Sequence, residues 1–187
     1  MDTFSLVFSL FGLLMGLALA EVISGFGTAL ELRHKFRIGW LTPLLGLLIS
    51  IDLASFWLVA WQIRASLPIG FLSLVAGLVI FGIYYMIAQL AFPDDREQWP
   101  DLDVYYFAHR KWLIGGIWTC NILALCGQAL IGVHPFADVH ALYAFGAFSL
   151  GAIGLMFLPG KRANVALLIY QMGLYFLFDA LGTMGAG

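Results

Sequence analysis

Six apolar runs of about 20 residues or more, separated by short polar breaks, leave this chain little choice of fold. At a rise of 1.5 Å per residue, about 20 helical residues cross the roughly 30 Å hydrocarbon core of a bilayer. A transmembrane β-barrel would instead show segments of about 10 residues with strict in/out alternation. The fold class is therefore all-α: a polytopic membrane protein built as a bundle of six transmembrane helices. Composition agrees, because 62% of the 187 residues are hydrophobic and only 11% are charged, whereas a soluble domain is about one quarter charged.

The chain reads as a single transmembrane domain, 1–187, with spans at about 4–30, 38–63, 68–92, 112–133, 139–158 and 163–184 and an acidic loop at 93–111. Pro43 and Pro68 lie near span starts, where a missing N–H costs least, while Pro93, Pro100, Pro135 and Pro159 punctuate loops. The triplet Ala18-Leu19-Ala20 is cleavage-like, but no Lys or Arg precedes Arg33 and the apolar run continues past it, so a retained first helix is expected.

The basic residues orient the bundle. Arg33, Lys35, Arg37, Arg96, Arg110, Lys111, Lys161 and Arg162 fall in the first, third and fifth breaks, and Arg64 alone falls on the other side. The positive-inside rule makes the crowded face cytoplasmic and puts both termini outside. Trp40, Trp61, Trp99 and Trp112 sit near span ends, as interfacial anchors do. The longest break carries Asp94, Asp95, Glu97, Asp101 and Asp103, which suits a solvated loop with room for a short surface helix from Asp101, or a surface that docks a partner or attracts cations.

Polar residues inside the spans are the candidates for function. On the first span Leu17, Glu21, Ser24, Gly25 and Thr28 share a face by three-and-four spacing, and Asp52 lies near the middle of the second. Trp118, Asn121 and Gln128 mark the fourth span, Asn164, Gln171, Tyr175 and Asp179 the sixth, and Tyr84, Tyr85 and Gln89 the third. An ionised carboxylate at the bilayer centre costs roughly 2.5–3.5 kcal/mol on insertion scales, so such groups turn towards protein or water, or take up a proton. Glu21 and Asp52 thus line an ion path or act as hydrogen-bonded links between helices. His140, Ala144, Ala147, Gly151 and Gly154 form a mostly small line on the fifth span, and with Gly25 they are the candidate packing positions.

Other chemistry has thinner support. His134, Asp138 and His140 offer at most three ligands for a borderline cation, with no thiolate. His34 and His109 lie opposite His134 and His140, a two-sided pattern of the di-haem kind, but three of the four fall in loops or at a span mouth. No cofactor is therefore expected, with metal and haem as lesser alternatives. Cys120 and Cys126, six residues apart, face different directions on a straight helix and read as small core residues. A net charge of −2 without a basic patch excludes nucleic acid as a partner. Phosphate-loop, HExxH and CxxC motifs are absent.

The segments AEVISGFGTALELR, Gly39-Trp40, Phe56-Trp57, AFPDD and DVYYFAHRKW together resemble a group of uncharacterised small bacterial polytopic membrane proteins. That group has a Glu-x-x-x-Gly first helix, a Phe-Pro-acid turn and a Tyr-Tyr-Phe-x-x-Arg segment, matched here by Glu21, Gly25, Phe92, Pro93, Tyr105, Tyr106, Phe107 and Arg110. The resemblance covers roughly the first 112 residues. It implies a bacterial inner membrane location and no particular activity. Two functions follow from the residues themselves: a channel or transporter for protons or cations that uses intramembrane carboxylates, or a non-catalytic membrane subunit docked through its acidic loop and small-residue faces. The partners expected are the lipid bilayer and either further copies of the chain or another membrane protein.

Overall fold

The computed structural model describes residues 3–34, 37–67, 70–93, 98–135 and 139–180, with the side chains of 3–7 left aside. Six α-helices run up and down: α1 Thr3–Glu31, α2 Leu41–Gln62, α3 Phe71–Ala91, α4 Leu102–Leu130, α5 Val139–Phe157 and α6 Lys161–Ala180. A 3-10 turn, Ile63–Ala65, closes α2. All six helices are long and apolar enough to cross a bilayer. Their outer faces agree with that medium: Phe71 is 84% exposed, Leu130 85% and Leu150 72%, an apolar surface that water would not tolerate but lipid does. The termini of α1, α3 and α5 and the starts of α2, α4 and α6 meet at one end of the bundle, called here the basic end.

α1 and α3 pack side by side in parallel. The buried residues Phe11, Met15, Ala18, Val22 and Ala29, with Gly25 between the last two, repeat at spacings of four and three, the seam of a coiled-coil-like contact. Gly77, Phe81, Tyr84, Ala88 and Ala91 repeat the same pattern on α3. The contact interlocks at both ends, with Phe11 seated over Gly77 and Phe92 over Gly25, so that neither glycine has room for a Cβ. α2 runs antiparallel to α1, with Gly12 against Trp57 and Gly46 against Phe26. α4 lies beside α3, α5 beside α4, and α6 returns beside α5 and α2. The small line of α5 faces α6: Gly151 receives Gln171 and Gly154 receives Leu167. Ala144 and Ala147 pack half-buried against the same core.

The largest difference from the expected spans is at α4. The break read as a loop over 93–111 is helical from Leu102 onward, because Asp101 caps the helix by accepting from the Asp103 N–H at 2.8 Å. Twenty-nine residues make a rod of about 43 Å, longer than the hydrocarbon core, and Trp112, 80% exposed, sits about 15 Å along it. Polarity in the first turns of α4 marks helix beyond the apolar zone, which hydropathy alone cannot tell from loop. Asp94, Asp95 and Glu97 lie outside the described residues.

Those first turns clasp the basic end. The Asp103 carboxylate accepts from the backbone N–H of Trp40 at 3.1 Å and of Leu41 at 2.9 Å, satisfying the open start of α2, and pairs with the Lys161 ammonium that opens α6. Gly39, at φ 65°, passes so close to that carboxylate that no side chain fits there. Arg37 brackets Asp101 across the loops, its N–H donating to the Pro100 carbonyl at 3.0 Å and its carbonyl accepting from the Leu102 N–H at 3.0 Å. The Thr42 hydroxyl donates to the Leu102 carbonyl at 2.8 Å. Buried Asn164 accepts from Tyr106 at 3.0 Å and from Arg110 at 3.1 Å, and its amide donates to the carbonyls of Leu158 and Gly160. One helix extension thus fixes the starts of the other two even-numbered helices. Replacing Asp103 by Ala strips the cap from α2, and denaturation in mixed detergent–SDS micelles is expected to show a loss of about 1–2 kcal/mol, with Asp103→Asn losing less.

Candidate functional site

The middle of α2 carries the most demanding group in the bundle. Asp52 follows Leu41 by eleven residues and precedes Gln62 by ten, so it sits about 16 Å from either end of its helix, and it is 0% exposed. A buried carboxylate needs donors within reach. Three helices supply them. The Tyr84 hydroxyl on α3 donates to Oδ2, the Tyr175 hydroxyl on α6 donates to Oδ1, and the Asn121 amide on α4 reaches Oδ2 at 3.2 Å and Oδ1 at 3.4 Å. The same Asn121 nitrogen lies 3.1 Å from the Ile117 carbonyl, which holds the amide in place along its own helix. Ser55 donates to the Asp52 backbone carbonyl at 2.7 Å. Phe56 covers the cluster from the far side, its ring 5.1 Å from that of Tyr84 and edge-on to it.

Tyrosine hydroxyls make this cluster versatile. Each can donate or accept, and a turn about the C–O bond exchanges the two roles. Around a charged Asp52 both hydroxyls donate, and around a protonated Asp52 one can accept instead. The cluster can therefore meet either state of Asp52, with the accepting hydroxyl turning its own hydrogen away from the carboxylate.

Glu21 is held differently. It is half-buried on the flank of the α1 seam, where the Tyr85 hydroxyl approaches Oε1 at 3.4 Å and itself accepts from Gln89 at 3.0 Å. Consecutive tyrosines on α3 thus serve two different acids, because successive helical side chains diverge by about 100°. The polar face expected on α1 does not form the packed seam: Leu17 is 47% exposed, Ser24 is exposed, and Thr28 bonds back to the Ser24 carbonyl at 2.9 Å. The seam runs instead through Phe11, Met15, Ala18 and Val22, whose tight packing is worth more than polar contacts in a medium that offers no hydrophobic drive between helices.

The polar stripe of α6 separates into layers. Asn164 belongs to the clasp. Gln171 is buried beside Gly151 and donates to the Phe148 carbonyl at 2.9 Å. Tyr175 joins Asp52, and Asp179 is exposed, since four-residue steps drift about 40° each and carry it off the packed face that Leu174 and Phe178 continue. Of the residues singled out from sequence, Asp52, Tyr84, Asn121 and Tyr175 come together. Glu21, Gln171 and Asp179 do not join them. Tyr84 is in phase with the small and aromatic positions Gly77, Phe81 and Ala88 of its helix.

The histidines stay apart from this site. His134 is exposed beside Cys126 in a groove between α4 and α5, His140 is exposed at the start of α5, and Asp138 lies outside the described residues. No three metal-ligating side chains gather among the described residues. Cys120 is buried with its thiol 3.6 Å from the Ile80 carbonyl, while Cys126, expected in the core, is exposed because its helix face turns outward.

Comparison with protein-family models, with curated proteins and with solved structures yields no match, so the side chains themselves carry the functional reading. Loss of either hydroxyl, as in Tyr84→Phe or Tyr175→Phe, is expected to destabilise the bundle by about 0.6–1.7 kcal/mol in micelle denaturation. The double variant is expected to differ from the sum of the two, because both donors serve one carboxylate.

Proposed function

We propose that this protein is a small membrane transporter in which Asp52 is the intramembrane group that takes up and releases a proton. The observation that carries this reading is the convergence of four helices on one fully buried carboxylate whose hydroxyl partners can donate to it or accept from it. Intramembrane acids are the usual material of proton and cation paths. Within the broader class of proton and cation carriers, the proton fits best. A metal cation would need several oxygen ligands, whereas the described cluster holds a single carboxylate and directs three donors at it. On this reading the basic end faces the cytoplasm of a bacterial inner membrane and both termini lie outside.

The accessory-subunit reading draws less support from the described residues. Asp101 and Asp103 are engaged in capping and ion pairing within the chain, and Gly151 and Gly154 pack against α6.

Reconstituted in vesicles that trap a pH-sensitive dye, the wild type is expected to carry protons down an imposed gradient. Asp52→Asn is expected to reduce that flux by about tenfold or more, and Glu21→Gln by no more than about twofold, since only Asp52 is enclosed by donors. Wild-type flux indistinguishable from protein-free vesicles at every pH and lipid composition would sink the proposal.

A further inference from the structure

The half of the bundle away from the basic end contains a hollow of about 270 Å³ between α1, α2, α3 and α4. Small residues line it: Ala60 on α2, Ala76 on α3, and Ala124 and Gly127 on α4. At Gly127 a Cβ would meet nothing within 4 Å, which marks true empty space rather than a tight helix contact. Of the lining side chains only Ser73 and Gln128 are polar. A dry apolar cavity of about 150 Å³ already takes up benzene, so a larger one in the same kind of lining is a ready site for hydrocarbon.

Its lining and mouth identify the occupant. The hollow runs along α3 from Leu72 to Phe81, nine residue rises or about 13 Å, an elongated apolar cleft. Leu72 and Leu130, at its open end, are 79% and 85% exposed on the lipid-facing surface. Phe56 and Phe81 close its floor, and Phe81 is only 5% exposed. We propose that this cleft is a binding site for one acyl chain of a bilayer lipid, which enters between the outer ends of α3 and α4 and ends against Phe56 and Phe81. The site stands on its own geometry and does not depend on the transport reading. Transport can fail while the lipid site holds, and the reverse.

The test uses the full chain in phosphatidylcholine–phosphatidylglycerol vesicles doped with a phospholipid bearing a diazirine at the end of one acyl chain. After irradiation, mass spectrometry locates the adducts by residue. Label at Phe81 supports the site, because lipid that merely surrounds the bundle does not reach a side chain so buried. Gly127→Phe fills the hollow without a backbone clash and is expected to lower that deep label about tenfold, with label at outward Leu150 and Phe176 unchanged. Ala124→Leu serves as a second filling variant, and gel filtration checks that each variant folds. Label confined to outward positions in the wild type overturns the proposal. So does deep label that both filling variants leave intact, or a chain-to-chain cross-link through the cleft, which would make the occupant a second copy.

Discussion

One carboxylate in an apolar medium governs the centre of this protein. Asp52 has no water to turn to, and an unpaired buried charge is far more expensive than any single contact elsewhere in the bundle. Its donors must therefore come from protein, and one helix cannot supply three of them at one point. α3, α4 and α6 each contribute a side chain, which requires α2 to lie within reach of all of them. The interior position of α2 follows from that need. Burial of Leu41, Leu45, Leu48, Ile49 and Leu53 on the same helix accompanies it rather than explaining it, because lipid is as apolar as leucine and offers no drive to bury one helix over another.

The clasp at the basic end answers a different shortage. Helix starts leave backbone N–H groups without partners, and α2 begins at Trp40 with no capping side chain of its own. Asp103 supplies the acceptor from another helix, and the pairing with Lys161 holds its charge in place. The acidic residues that looked like solvated decoration are, for Asp101 and Asp103, the parts that hold three helix starts in register. Gly39 belongs to the same device, since a side chain at its positive φ would displace the carboxylate.

Much of this was legible in the sequence, and the rest was hidden for identifiable reasons. Span number and helical class follow from run length against bilayer thickness, a one-dimensional comparison. Asp52 stood out because its depth is also a one-dimensional quantity. Partner choice is not: Asn121 and Tyr175 carried polarity that flagged them, whereas Tyr84 and Tyr85 are adjacent letters whose different fates depend on the rotation of α3 against α1 and α2. The α1 seam misled for a related reason. Ser24 and Thr28 look like a face to be buried, but each satisfies itself locally or faces outward, while Ala18, Val22 and Gly25, plain in the sequence, let α3 approach. The small-residue line of α5 meets α6 at Gly151 and Gly154, and nothing in a single sequence tells such an internal neighbour from an external one.

The two ends of the bundle differ in what lines their interior. From the basic end to the level of Asp52, helices are tied by cross-helix bonds to Asp103, Asn164, Gln171 and Asp52 itself. Beyond Phe56 the described contacts include aromatic edges such as Phe8 against Trp57, with ring centroids 4.4 Å apart, and the wall of the hollow includes alanine and glycine. The floor of the hollow is the ring pair Phe56–Phe81, and Phe56 also abuts Tyr84. Phe56 therefore touches both the hollow and the ring whose hydroxyl serves Asp52, so one aromatic layer separates the apolar outer end from the charged centre.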